Sequence, residues 1–181
     1  EHGVKIAQAA EKNGKSPLEF SDQVSAEFQL AWDRLNIANN DFIRTTESRH
    51  EENVKHFWEK LKEVDGPSGQ PVIYKGTYEG LYCYGCEAYK KPDDVEDGKC
   101  PLHPNQELAH LEEENWFFRL SEYGALIKEK IESGAMRVEP EVRKNEVLSL
   151  IDGGLEDIAI SRANVEWGIE VPFDSEQTIY V

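Results

Sequence analysis

The chain has 181 residues, 39% hydrophobic and 31% charged, with a mean hydropathy of −0.65. No run approaches the roughly 18 to 20 apolar residues that a bilayer-spanning helix requires, which excludes an integral membrane protein of that kind. Thirty-six acidic against 20 basic residues give a net charge of −16, the opposite of what binding by phosphate neutralisation needs, so weak or no nucleic-acid binding is expected from this stretch alone.

Val4 to Asn13 reads as a short helix stopped by Gly14. Ser16-Pro17-Leu18-Glu19 then supplies an N-cap, a proline at the first helical position and a glutamate at the third, a capping box. Phe20, Val24, Phe28, Trp32 and Leu35 follow at helical steps and are expected to face a core. Asn36 to Asn40 breaks that helix, and Asp41 to Thr45 reads as a strand. The next helix carries Val54, Phe57, Trp58, Leu61 and Val64 on one stripe and ends at the Asp65–Gly69 turn. Val72 to Tyr82 alternates aromatics with glycine and polar residues, which suits short strands or a hairpin. Glu87 to Glu122 carries ten acids against four bases around an Asp-, Gly- and Pro-rich loop. Within it, Glu112-Glu113-Glu114 reads as a solvated strand end, with Asn115 as the cap of the helix that follows. That helix is expected over Trp116 to Ser133, with Leu120, Tyr123, Ile127 and Ile131 inward. Val142 to Ile151 is another helix, and Ile158 to Ile160 and Trp167 to Val181 are strand-like. The chain begins at Glu1 without a methionine or an Arg-rich or apolar leader and stops inside a strand-like stretch. Both ends read as cuts in a longer protein.

All three cysteines lie in one cluster, Cys83-Tyr84-Gly85-Cys86 and Cys100-Pro101-Leu102-His103, with C-x2-C-x13-C-x2-H spacing. A two-residue spacer lets both side chains of a pair face one ion, and Gly85 is expected to supply a positive φ in the turn. Three thiolates and one imidazole match a closed tetrahedral zinc site that leaves no position for substrate, a structural staple for a polar loop. The alternatives are free buried thiols or a Cys83–Cys86 redox pair, and the latter leaves Cys100 and His103 unexplained. Three clustered cysteines are too few for a secreted disulfide scaffold, so a reducing, cytoplasmic setting is expected. His50, His56 and His110 have no such spacing and read as surface or satisfied histidines.

The order of segments resembles the methionyl-tRNA synthetase family. Glu1-His2-Gly3 is similar to the end of its Asp-Glu-His-Gly motif, and Phe42 to Thr46 with Arg49-His50 to its strand and next helix. Gly80-Leu81-Tyr82-Cys83 with Cys86, Cys100 and His103 resembles the zinc knuckle of the family's connective peptide. Glu114 to Leu120 resembles its Asn-Tyr-Phe-Phe stretch. Ile160-Ser161-Arg162 and Trp167 to Pro172 resemble the return to the catalytic sheet, with Glu170 as a departure from the usual Pro or hydrophobic residue. The synthetases for isoleucine, leucine and valine share part of this signature, but Gly3 to Ser161 leaves no room for their editing domain.

The resemblance implies an α/β chain, part of a Rossmann-type nucleotide-binding catalytic domain interrupted by a small zinc-knuckle insertion. Residues 1–70 would belong to the first half of that domain. Residues 71–156 would form the connective peptide, with the knuckle at 83–103, and 157–181 the return strands. The implied reaction joins methionine to ATP, taken with Mg, and passes the methionyl group to tRNA(Met). Arg162 is the residue the resemblance places at the amino acid and adenylate, because a guanidinium can pair bidentately with carboxylate or phosphate. The alternative for Arg162 is a surface salt bridge. His2 and Gly3 match the nucleotide side. The family's His-Ile-Gly-His and Lys-Met-Ser-Lys-Ser motifs do not occur in these residues, so the stretch by itself is expected to be inactive. A rival of another class is a zinc-ribbon-like interaction module without catalytic activity.

Overall fold

In a computed structural model that describes residues 1–86, 88–90, 94–163 and 165–179, helices and strands mix in an α/β chain. Gly14, at φ +63°, ends α1 (Val4–Lys12). Ser16 caps α2 (Pro17–Arg34): its Oγ accepts from the Glu19 N–H, and the Glu19 carboxylate accepts from the Ser16 N–H at 2.9 Å. The expected capping box is therefore present.

The inward face of α2 is not the aromatic one. Its buried residues are Ser21 and Ser25, and α1 buries Ala10. Small side chains let the two contacting helices approach closely, which leaves Phe28 58% exposed and Leu35 more so. Asp41 to Thr45, expected as a strand, lies beside none among the described residues. Side chains fasten it instead: Phe42 packs edge-on against Trp32 at 4.9 Å, and Arg44 binds Glu1 at 2.8 Å and Asp22 at 2.6 Å.

In α3 (Ser48–Lys62) the stripe divides, with Trp58 buried, Val54 and Leu61 packed on the core, and Phe57 turned outward. After the Gly69 turn the chain runs into one long strand, β1 (Ile73–Cys83), rather than several short ones. It pairs antiparallel with β3 (Ala109–Phe118), in register from Ile73 opposite Phe118 to Tyr82 opposite Ala109. The short β2 (Ala88–Lys90) lines the other edge of β1, and β4 (Ile158–Ala159) pairs with Phe117 and Phe118. The sheet order is thus β2-β1-β3-β4. Trp116 to Phe118 are consequently strand and not helix, and Asn115, expected as a cap, is wholly buried within β3. The aromatic run gains a full ladder against Ile73 to Lys75, which outweighs its helical spacing. Helix begins only with a 3₁₀ turn (Leu120–Tyr123) leading into α4 (Gly124–Glu132), whose Ile131 is buried.

Beyond α5 (Glu141–Asp152), a second antiparallel sheet orders β5 (Ser161–Arg162), β7 (Asp174–Ile179) and β6 (Ile169–Val171) as β5-β7-β6. Tyr180 and Val181, read as strand-like, lie outside the described residues. Every strand pair among the described residues is antiparallel. Among them, no helix is long and apolar enough to cross a membrane.

One core joins the stretches read above as 1–70, 71–156 and 157–181. Trp58 of α3, Val72 and Ile73 at the start of β1, and Ile169, Val171 and Ile179 of the second sheet bury one another. Polar groups clamp the two sheets beside it. Ser161 Oγ accepts from the Trp116 N–H at 2.7 Å and donates to Gln177 Oε1 at 2.6 Å, while Gln177 Nε2 donates to the Glu114 carbonyl. Ser161 is fully buried. Ser161→Ala should strand two buried partners and cost roughly 1–3 kcal/mol, measured as the shift of the urea unfolding midpoint.

Candidate functional site

The loop beyond β1 brings Cys83, Cys86, Cys100 and His103 together, with their ligand atoms all within 4.8 Å of one another. His103 Nδ1 lies 3.6, 3.2 and 3.9 Å from the sulfurs of Cys83, Cys86 and Cys100, and the Cys86 and Cys100 sulfurs are 3.5 Å apart. A tetrahedral ion bound at about 2.0–2.3 Å would hold such donors about 3.5–3.8 Å from one another, so the donor set fits a metal. The three cysteines are free, and Cys83 and Cys100 are buried.

Gly85 does not take the expected positive φ; the left-handed residues of this loop are Asp97 and Gly98. Space is the reason for glycine here. A Cβ at position 85 would collide with the His103 ring and sit 2.7 Å from Gln106 Oε1. Burial by itself would raise the Cys100 thiol. Hydrogen bonds with His103, Cys86 and the Leu102 N–H overcome it and bring Cys100 to about 6, while burial and Cys100 push Cys86 up.

The cysteine loop borders a cleft of about 490 Å³. Tyr84, between the first two cysteines, forms part of its wall with Tyr82 and Glu113; His2, Gly3 and Lys5 stand at the start of the chain, and Arg162 and Trp167 on the return segment. Gly3, at φ +103°, takes a conformation open chiefly to glycine and donates its N–H to the Trp167 carbonyl at 3.0 Å. Trp167 Nε1 donates in turn to the Glu1 carbonyl at 2.8 Å, and the His2 ring packs edge-on against Trp167 at 5.3 Å. Burial holds the His2 imidazole below its usual range.

Arg162 is only 8% exposed. One guanidinium nitrogen donates to the Ser161 carbonyl at 2.9 Å, and the group lies 5.8 Å from the ring centre of Tyr89. The fold thus draws His2, Gly3 and Arg162 from opposite ends of the chain into one cleft. Glu113 and Tyr84 join them there without having been marked by the sequence. For Glu113 a signal exists: within β3 the acids alternate, with Glu112 and Glu114 exposed and Glu113 half-buried. His56 and His110 lie on the surface beside Glu59 and Glu79.

A family model described as tRNA synthetases class I (M) matches residues 1–110 and 86–181. The chain is 42% identical over 190 residues to the methionine–tRNA ligase of Streptomyces coelicolor, covering 100% of this chain and 34% of that protein. With the methionine–tRNA ligase of Nostoc sp. the identity is 41% over 182 residues, covering 100% and 33%. The solved structure of Mycobacterium tuberculosis methionyl-tRNA synthetase in complex with methionyl-adenylate superposes with a TM-score of 0.85 at 32% identity, over 99% of this chain and 35% of that one. The chain spans about a third of the length of the curated relatives it matches.

Gly85→Ala should force His103 out of reach of the sulfurs. Elemental analysis of metal-replete protein is expected to give one ion per chain for the unaltered sequence and well under half of that for the variant.

Proposed function

The chain belongs to the methionyl-tRNA synthetase family of class I tRNA synthetases, and from that premise we propose that it forms the middle of the catalytic region of a methionine–tRNA ligase. In this reading the enzyme activates methionine with ATP, taken with Mg, and passes the methionyl group to tRNA(Met). Residues 1–70 and 157–181 belong to a Rossmann-type nucleotide-binding domain, and 71–156 to a connective peptide inserted in it. The observation that carries the proposal is the convergence of His2, Gly3 and Arg162 on one cleft. These are the positions at which the sequence matches the family's nucleotide-side and return-strand motifs.

Activation requires a methionine carboxylate oxygen to bond to the α-phosphorus of ATP as the bond to pyrophosphate breaks. The protein supplies placement and charge stabilisation for this and forms no covalent bond itself. Arg162 is suited to the second task. Its guanidinium is held on one side by the Ser161 carbonyl and presents a planar fork that fits carboxylate and phosphate oxygens. His2 and Gly3 form the wall across the cleft, where the glycine keeps the backbone free of a side chain that would narrow the approach.

Zinc is the ion we assign to Cys83, Cys86, Cys100 and His103, since three thiolates and an imidazole with no open position suit structural zinc. It contributes folding energy to the loop and takes no part in the reaction. Thiolate ligands of this kind persist in a reducing, cytoplasmic compartment. A zinc-ribbon-like interaction module is the weaker reading, because its sheet would have no use for the core shared with Trp58, Ile169 and Ile179. The 181 residues alone would lack turnover and bind tRNA weakly, since neither phosphate-handling motif occurs in this sequence and its charge is −16.

In the full-length ligase, Arg162→Lys keeps the charge and loses the fork. Methionine-dependent exchange of pyrophosphate into ATP should fall by roughly two to three orders of magnitude, with the thermal unfolding temperature held. Near-normal exchange would remove Arg162 from the reaction, and a matching collapse of unfolding temperature would make it a fold residue.

A further inference from the structure

The guanidinium of Arg162 is held on one side by its own strand, through the Ser161 carbonyl. On the other side it meets a group from the sheet that carries the metal cluster. Tyr89 is the middle residue of β2, and Arg162 Cζ lies over its ring at 5.8 Å, within cation–π range. The ring is itself fixed. Tyr82, opposite Tyr89 in the β1–β2 register, packs edge-on at 5.0 Å. The Tyr89 hydroxyl sits 3.5 Å from Glu113 Oε2, and the buried Asn115 amide approaches the same oxygen at 3.5 Å. Burial and the Glu113 charge push Tyr89 up to about 12, so it stays a neutral phenol facing a cation.

The strand bearing Tyr89 has little hold of its own. It is three residues long, pairs among the described residues only with Leu81 to Cys83, and lies just beyond Cys86, which Lys90 also engages through a side-chain hydrogen bond. Cys83, paired with Ala88, and Cys86 both lie at one end of this pairing, one residue pair away from Tyr82 and Tyr89.

We propose that Tyr89 is a positioning residue for Arg162, its ring held by the metal-bearing sheet so that the guanidinium is oriented in the cleft before substrate arrives. The inference rests on the reading of Arg162 given above. A long, flexible cation restricted in advance loses less entropy on meeting its ligand, and misplacement by about 1 Å at such a site can cost up to a hundredfold in rate. By this route a structural metal influences the chemistry without touching it.

The test is pyrophosphate exchange in the full-length ligase with Tyr89→Leu, Tyr89→Phe, Arg162→Lys and the Tyr89→Leu/Arg162→Lys pair. Tyr89→Leu should lower kcat roughly five- to thirtyfold, the size of a partly desolvated cation–π contact. KM for methionine and ATP, zinc content and unfolding temperature should stay put. Tyr89→Phe, which keeps the ring, should retain at least half of kcat. With Arg162→Lys already present, Tyr89→Leu should cost less than twofold. Equal losses in both backgrounds, or a Tyr89→Phe variant as poor as Tyr89→Leu, would overturn the proposal. If Tyr89→Leu loses zinc or melts early, Tyr89→Met replaces it, with the same severalfold loss expected only where Arg162 is intact and additivity overturning the idea. Arg162→Lys at full activity would sink the reading of Arg162 and this inference together. An inactive Arg162→Lys beside a fully active Tyr89→Leu would sink the positioning role alone.

Discussion

The antiparallel register between β1 and β3 is the constraint on which the rest depends. Because side chains alternate across a sheet, a slip of one residue would exchange every side chain between faces. In the observed register Tyr74, Gly76 and Tyr82 stand opposite Phe117, Asn115 and Ala109. Glu113 and Tyr82 reach the cleft from that face. The small residue at position 76 is needed: a Cβ there would press on Tyr74 at 3.2 Å and on Phe117 at 3.4 Å. One end of the ladder is anchored in the core by Ile73 and Phe118, and the other delivers Cys83 to the cysteine–histidine cluster. A single strand pair therefore sets the distance and facing of two sites.

Charge is handled differently at the two ends. Near the core, Asp174 accepts from Trp116 Nε1 at 2.9 Å and binds Lys75 at 3.0 Å. Burial would raise that carboxyl, yet these two partners hold it below its usual range. The pair is partly buried and saturated with hydrogen bonds, which fixes how the sheets meet more than it adds stability. At the other end, three sulfurs and His103 Nδ1 face one another closely enough to hold a cation. The remaining acids are mostly solvated, and the large negative net charge is a property of the surface.

Local signals were legible in the sequence and long-range ones were not. The capping box at Ser16 and the ligand spacing from Cys83 to His103 each depend on residues close in sequence, and the structure builds both as read. Arg162, His2 and Gly3 were visible through motif resemblance, although only the fold shows that they share a cleft. The errors share one cause. Trp116 to Phe118 kept a helical period but found a strand partner forty residues upstream, and that pairing won. The aromatic face of α2 was read as core, whereas Ser21 and Ser25 permit the close helix contact and are buried in its place. Gly85 was read for its backbone freedom, and the His103 ring, distant in sequence, supplies the real reason. Tyr89 carried no signal at all, because its importance comes from what the second sheet sets against it.

If the cysteine–histidine cluster holds a metal, its order should reach the cleft through this one ladder. Hydrogen–deuterium exchange on the full-length protein, before and after metal removal by a chelator, tests it most directly. Protection should be lost at residues 81–83, 88–90 and 109–111, while 73–76 and 115–118, anchored in the shared core, remain protected. Unchanged protection at 88–90, or equal loss along the whole of β1 and β3, would contradict the account.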